Sequence, residues 1–362
     1  MKKTICLIVF LSLFLPFKYV HAEQNQIKTP GINTWYAVVM DYDSGRVLFG
    51  KCDDMIVPMA STTKIMTAIV ALENSRLDDI VTVSKRASSV GGSTVGLKEG
   101  QKMTMEQLLY GLMLQSGNDC AIAIAEHVGK SVEQFASMMT SKAFDIGAFD
   151  THYLTPHGLD SDGHFTTAYD LALITRYALQ NETFSKIVST KAVLVEGPYG
   201  NMSFHNINKM LYSMEGADGV KTGYTAKAGK CLVSSVTKDG KRFISVTLNS
   251  SNRWGDSKKL LGYAIEKYNK NVLVDEAKHT YTIRVTGGNK KKVCAGIEGS
   301  LSVSLSDDEM RGISYKVVLP ESITAPVYKN QQLGHLEMYY NDNIIYSIPI
   351  KSKEDIYKKF NQ

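Results

Sequence analysis

Apolar and polar residues alternate over residues 35–41 and again over 46–50, with Asp43-Ser44-Gly45 supplying a turn, so the chain opens on a predicted hairpin. The period then changes. Over residues 58–73, Ile65, Met66, Ala68, Ile69, Val70 and Leu72 fall on nearly every side of a helix, the pattern of a buried central one. Thr104 and Gln107 form a capping box ahead of Met105, Leu108, Leu109, Leu112 and Met113, which share one helix face. A break at Ser116-Gly117-Asn118 precedes a helix predicted over 119–127, with Gly129 as its stop. Further helices are predicted over 132–146, ending at Gly147, and from about 168 to 179, with a long polar loop over 149–167 between them.

Strand patterns then return. Residues 219–222 read as a short strand, and 231–237 and 242–248 flank Lys238-Asp239-Gly240-Lys241 as a second hairpin, followed by an amphipathic helix over 256–268. Strands first, helices in the middle and strands last favour an α/β (α+β) unit: one antiparallel sheet assembled from both ends, with helices on its faces. From about residue 278 helical periodicity vanishes. Tyr281, Ile283 and Val285 alternate with polar residues, and similar runs recur at 301–305, 315–319, 335–340 and 344–350, as in a small all-β, sandwich-like domain. The organisation expected is a leader over 1–22, a first domain over 30–272, a β domain over 276–350 and a tail over 351–362.

The leader rests on Lys2 and Lys3, an apolar run over 5–17 and small residues around Val20-His21-Ala22. That run is shorter than the roughly 20 residues of a membrane span and matches a secretory signal peptide, which implies an exported, extracytoplasmic protein, secreted or held at the envelope. Cys6 lies inside the run and is not placed for lipid attachment. Losing Lys2, Lys3 and Lys18 and no acid lowers the formal net charge from +5 to +2, which gives no electrostatic case for nucleic acid. Cys52, Cys120, Cys231 and Cys294 form no metal-type spacing; buried thiols are expected, and any disulfide pairing stays open. In the tail only Ile356, Tyr357 and Phe360 are apolar, among charges of both signs, too few for a firm anchor. A soluble mature form is expected, held at most weakly at the wall or membrane surface.

Candidate chemistry begins at Ser61-Thr62-Thr63-Lys64. On a helix Ser61 and Lys64 share a face, so the amine can reach the hydroxyl. A serine near a helix start is ordinarily a cap, so catalysis needs further support. To act as a base near neutral pH a lysine must fall from its free pKa of about 10.4 by roughly 3 units, about 4 kcal/mol of bias against the charged form. Burial supplies part of that and a second nearby cation more, so another lysine should enter the site. Lys221-Thr222-Gly223 supplies one, with a hydroxyl and a charge suited to a carboxylate and a glycine that lets substrate backbone approach an edge strand. Ser116-Gly117-Asn118 can present a hydroxyl and an amide to the same cleft, although Asn118 is also a good N-cap. Ser235 to Lys238 repeats Ser-x-x-Lys but reads as a strand entering a turn, and Ser250-Ser251-Asn252 reads as a loop. His152, His157 and His164 match no zinc motif and read as structural polar residues.

The ordered set Ser-x-x-Lys, Ser-x-Asn, Lys-Thr-Gly resembles the penicillin-recognising serine enzymes. The stretches MASTTKIMTA, LLYGLMLQSGNDCAIAIAEHVG, TPHGLDSDGHFTTAYDLA, DGVKTGYTAKAGKCLVSS and RWGDSKKLLGYA look like the low-molecular-mass D-alanyl-D-alanine carboxypeptidases, peptidase family S11; PVYKNQQLGHLEM is similar to that family's second domain. The resemblance implies Ser61 as nucleophile, Lys64 as its base and Ser116 as proton relay. It implies Asn118 on the substrate amide, Lys221 and Thr222 at the substrate's terminal carboxylate with Arg253, Gly223 beside them among the substrate-binding residues, and the backbone N–H groups of Ser61 and Tyr224 as oxyanion hole. The implied partners are a peptidoglycan stem peptide ending in D-Ala-D-Ala and β-lactams as acylating inhibitors, with no metal or cofactor required. A class A-type β-lactamase shares the motifs but relies on a deacylating glutamate, and residues 145–170 contain none. A D,D-endopeptidase, a transpeptidase and a non-catalytic wall-binding protein are the other readings considered.

Overall fold

The computed structural model describes residues 30–359; the expected leader and Phe360 lie outside the described residues. A five-stranded antiparallel sheet has the order Val47–Lys51, Thr34–Asp41, Lys241–Ser250, Gly229–Lys238, Ala217–Thr225, so both ends of the first unit build one sheet, as the strand–helix–strand pattern implies. Its strands obey period two. Val38, Met40, Val233, Ile244 and Val246 turn into the core shared with the middle helices. Ala37, Val39, Leu232, Val236 and Phe243 turn to the other face, under Leu260, Leu261 and Ala264 of the last helix, Arg253–Lys267.

The central element is shorter than its pattern implies. Ala60–Thr63 is a 3-10 turn and the α-helix proper is Lys64–Asn74. The Thr62 and Thr63 hydroxyls donate back to Met59 O and Ala60 O at 2.6 and 2.8 Å, holding that turn tight. Other boundaries move for local reasons. Gly129 does not stop its helix, Asn118–Gly129; Lys130 takes the left-handed position instead. Gly129 is there because a Cβ would lie 2.7 Å from the Cβ of Phe135 on the next helix. The last helix begins at Arg253, not 256, because the Asn252 side chain accepts from Gly255 N and caps it. The strand expected over 219–222 spans Ala217–Thr225 and forms an edge of the sheet.

Beyond it lies a six-stranded sheet in the order Ile313–Val318, Gln332–Tyr340, Asn343–Ser352, Lys292–Gly296, Thr280–Thr286, Ser322–Thr324, with a separate pair, Asn269–Val274 and Leu301–Leu305. Leu273 and Val274 pack into this β core, and the strand they end begins at Asn269, although the expected boundary put 269–272 in the first unit. Ile356, expected in a loose tail, is fully buried there too. Of the cysteines, Cys120 and Cys231 are buried as expected, Cys52 is exposed and Cys294 half-buried, and all four are unbridged.

The two units meet at the N-terminal hairpin. Asp41 Oδ1 accepts from Ser304 Oγ at 2.6 Å, and Arg46 donates to Ser304 O at 3.1 Å while pairing with Glu309. Glu309 is itself the N3 member of a capping box with Ser306, so the acid is held in place for Arg46. Arg46→Ala is expected to cost about 1–2 kcal/mol, the usual loss for charge-assisted hydrogen bonds that are partly exposed. A thermal melt followed by circular dichroism checks this; an unchanged midpoint would mean that apolar packing alone holds the junction.

Candidate active site

Ser61 sits on the 3-10 turn, behind Ala60, whose φ of +51° is a strained value for a residue with a Cβ. The turn lies against the edge strand at Gly223: a Cβ there would be 3.0 Å from Ser61 N and 3.2 Å from Thr62 N. The sequence reading gave Gly223 to the substrate, whereas its first close neighbour is the protein's own serine turn. Beyond it the Tyr224 side chain is 65 % exposed. The edge strand pairs on one side only, with Gly229–Lys238, and its other side runs beside Ser61.

Lys64 is fully buried, and its Nζ has three oxygens around it: Ser61 Oγ at 2.9 Å, Asn118 Oδ1 at 2.7 Å and the His157 carbonyl at 2.8 Å. Asn118 cannot turn its other end to the lysine, because its Nδ2 donates to Gly91 O at 2.7 Å. Two of the three neighbours therefore only accept. A neutral amine has two N–H bonds and one lone pair; with the N–H bonds directed at Asn118 and His157, the lone pair is left for the Ser61 hydroxyl. Burial holds the Lys64 pKa well below the usual lysine range, and the charge of Lys221 lowers it further. The second lysine that the sequence argument demanded is thus present. Lys221 is 1 % exposed, and its own pKa is brought down to about 7 by burial and then by Arg253.

Asn118 is not the cap of its helix: Gly117 occupies that position, and the Asn118 side chain is engaged by Lys64 and Gly91. Ser116 is buried at φ +63°, again in the left-handed region, and its hydroxyl bonds to no described residue. Asp119, unremarked in the sequence, secures this bend. Its buried carboxylate accepts from the N–H groups of Val95, Gly96 and Leu97 at 2.9–3.1 Å, drawing in the 93–97 segment, while Asn118 N donates to Ser93 O. An acid just inside a helix start is the one signal that could have flagged it.

The 149–167 loop supplies the other wall. Gly158 has φ +84°, and a Cβ on it would lie 2.0 Å from Ala60 O, so only glycine lets the loop carry the His157 carbonyl to Lys64. His164 accepts from Leu154 N at Nδ1 (3.0 Å), so its proton is on Nε2, which donates to Thr63 Oγ1 at 2.8 Å; Thr63 in turn donates to Ala60 O. Burial lowers the pKa of His157 to about 3 and of His164 to about 4, with nearby cationic groups adding to it. Both are structural, as expected, but they buttress the serine turn itself. His152 is peripheral, bonded to Gly163 O. Asp160 and Asp162 tie the loop to the end of the edge strand through Thr225 and Lys227.

At the far side, Lys221 Nζ donates to Thr222 O at 3.0 Å. Arg253 Nη1 donates to Gly223 O and Cys231 O at 2.7 and 3.2 Å, while its buried Nε has no partner among the described residues. Of the two lookalike motifs, Ser235 is bonded to Asp218 within the sheet, and Asn252 caps the last helix. Among the described residues no group of three His, Cys, Asp or Glu side chains gathers in a metal-binding arrangement.

Residues 23–252 match the family described as D-alanyl-D-alanine carboxypeptidase, peptidase S11. The chain belongs to this family. Residues 268–358 match the C-terminal domain of penicillin-binding protein 5. The D-alanyl-D-alanine carboxypeptidase DacC of Escherichia coli is 32 % identical over 96 % of this chain and 90 % of its own length, and DacF of Bacillus subtilis 29 % over 98 % and 94 %. Among solved structures, penicillin-binding protein 5 of Haemophilus influenzae superposes with a TM-score of 0.82 at 27 % identity, over 92 % of this chain and all of that one. A variant of the Streptomyces K15 DD-transpeptidase matches 66 % of this chain and all of its own at 35 % identity, TM-score 0.64. The S11 fold, an antiparallel sheet flanked by helices and followed by a β domain, is the one described above.

Because His164 stays neutral in the fold down to about pH 4, the unfolded chain binds its proton first, and stability is expected to fall as pH drops from about 6.5 toward 4. The slope from one such group is at most about 1.4 kcal/mol per pH unit. Denaturant titrations across that window should show a shallower slope in His164→Gln, which keeps the Nε2 donor. Acylation of the protein by penicillin should be slowed about 10–100-fold in His164→Leu and largely recovered in His164→Gln; equal rates in the two variants would rule out the Thr63 bond as a positioning contact.

Proposed function

We propose that Ser61 is the nucleophile and Lys64 the base of a serine-type D-Ala-D-Ala carboxypeptidase acting on peptidoglycan stem peptides. The observation that carries this reading is the buried Lys64 Nζ, 2.9 Å from Ser61 Oγ, whose two other neighbours, Asn118 Oδ1 and His157 O, only accept, so that a neutral amine has its lone pair left for Ser61. Ser61 Oγ attacks the carbonyl of the penultimate residue while its proton passes to Lys64. The oxyanion rests on the backbone N–H groups of Ser61 and Tyr224, each such donor being worth roughly 3 kcal/mol in enzymes where it has been measured. The C–N bond then breaks, the proton moves to the departing D-Ala amine with Ser116 as relay, and water hydrolyses the ester. Lys221, Thr222 and Arg253 hold the substrate's terminal carboxylate; the unpartnered Nε of Arg253 and the buried ammonium of Lys221 support that role. Asn118, with one of its two amide protons on Gly91 O, has the other to give to the substrate amide. β-Lactams acylate Ser61 by the same route because their amide and carboxylate imitate the substrate.

The strand and core assignments support domain limits of 30–268 for the catalytic unit and 269–359 for the β unit. The charged N-terminus and short apolar run support export, and the work belongs outside the cytoplasmic membrane, on the wall. Among the described residues no helix is long and apolar enough to cross a membrane. The likeness to the Streptomyces DD-transpeptidase favours a second outcome of the same acyl-enzyme, in which an amine replaces water.

Free D-Ala released from a stem peptide ending in D-Ala-D-Ala is the test. Ser61→Ala and Lys64→Ala are each expected to lose activity by a factor of at least about 10³. Release by wild type without an added amine identifies the carboxypeptidase, whereas product formed only with an amine identifies the transpeptidase. Rapid multiple turnover of penicillin, in place of a persistent Ser61 adduct seen by mass, would mean a β-lactamase. Lys221→Gln removes the cation that helps hold Lys64 neutral, so the acid limb of the penicillin acylation profile should move to higher pH. An unmoved limb would mean that burial alone sets the base.

A further inference from the structure

The β unit carries a charge arrangement that the catalytic reading does not use. Arg284 and Lys292 are direct register partners on the antiparallel strands Thr280–Thr286 and Lys292–Gly296, and both are exposed. Like charges directly opposite one another in a sheet are destabilising. The same sheet avoids this elsewhere: Lys316 is the register partner of Glu337 and lies 4.0 Å from its carboxylate. Among the described residues neither Arg284 nor Lys292 has an ion pair, and Glu321, which lines the same cavity, pairs with neither. The two cations line a cavity of about 450 Å³ with the hydroxyl residues Thr282 and Ser322 and the carboxylate of Glu321, which leaves the lining one positive charge in excess.

The surroundings extend the positive charge. The turn that joins these strands carries Lys290 and Lys291, and the end of the described chain is laid along it: Gly288 bridges to Lys358, and Lys359 N donates to Gly287 O at 2.9 Å. Lys290 is answered by Glu354, while Lys291, Lys358 and Lys359 have no ion pair among the described residues. Sequence alone hid this cluster, because the turn and the tail are about 70 residues apart and only folding lays one along the other.

We propose that this face of the β unit is a docking groove for a linear polyanion, a polymer whose repeating phosphates or carboxylates lie between Arg284 and Lys292. An anion placed there relieves the cross-strand repulsion, and the flanking hydroxyls can bond its oxygens. A bilayer is the less suitable partner. An interfacial lipid site presents a face of large apolar side chains beside its cations, and the groove lining has none. The groove lies on a unit separate from the Ser61 cleft, so it would hold the enzyme on an anionic matrix without occupying the catalytic site.

The test uses the purified protein and immobilised poly(glycerol phosphate), with phosphatidylglycerol–phosphatidylcholine vesicles in parallel. Wild type is expected to bind the polymer with an affinity that falls steeply as salt rises. Arg284→Gln/Lys292→Gln should weaken it at least tenfold. Lys98→Gln/Lys186→Gln, which removes the same charge from exposed positions of the other unit, should change it less than twofold. Release of D-Ala from a short soluble peptide should be the same for all three proteins, which separates this proposal from the assignment of Ser61. Thermal melts check folding, and the Arg284/Lys292 variant should be no less stable than wild type. Equal weakening by both double variants, no weakening by either, or binding to vesicles but not to polymer would overturn the groove.

Discussion

A lysine amine enclosed by protein is costly while it carries a proton, because no water solvates it and a second cation stands nearby. Lys64 meets that constraint by keeping two N–H bonds on two fixed carbonyl oxygens, which leaves one lone pair directed at Ser61. Most of what surrounds it serves to fix those two acceptors. Asn118 is turned the right way by Gly91 O, and the bend that carries it is secured by the carboxylate of Asp119. The His157 carbonyl reaches Lys64 because Gly158 lets the loop come within contact of Ala60. In the proposed mechanism the base is thus made by the positions of its acceptors and by burial, without a histidine or a carboxylate beside the serine.

The sheet order supplies the other half of the site. An edge strand leaves backbone groups unpaired and is usually a liability. Here the edge strand Ala217–Thr225 runs beside the Ser61 turn, spaced from it by the missing side chain of Gly223. In the proposed mechanism an extended peptide lies along its unpaired side, with the oxyanion donors at one end and Lys221, Thr222 and Arg253 around the carboxylate. Arg253 comes from the helix on the opposite face of the sheet and steadies the strand by donating to Gly223 O and Cys231 O. The groups proposed for catalysis and substrate binding, from a 3-10 turn, a helix break, an edge strand and a helix start, therefore converge on one cleft.

The β unit is attached through the hairpin that opens the main sheet, by Asp41 and Arg46. Its outward strands carry cations whose mutual repulsion the unit leaves unanswered, next to a tail whose Ile356 is buried and whose lysines stay outside. On the proposed reading, catalysis and retention on a charged matrix use different surfaces and can be tuned separately.

Much of this was legible in the chain. Period-two and period-3.6 patterns are local consequences of backbone geometry, so the hairpins, the buried central helix and the change to an all-β unit could be read directly, as could Ser61, Lys64, Ser116, Asn118 and Lys221, whose motifs are short and ordered. Boundaries set by a single contact could not be read: Gly129 is a packing position against Phe135, and Ile356 finds a core that the sequence placed elsewhere. Asp119, Gly158 and His164 were invisible as site residues because their partners lie 22 to 101 positions away. The sequence by itself determined which chemical groups were available and which elements would carry them, since those depend on neighbours along the chain. Only the tertiary structure decided which way Asn118 points, which carbonyl meets Lys64 and which cation lies opposite which, because those depend on atoms brought together by folding.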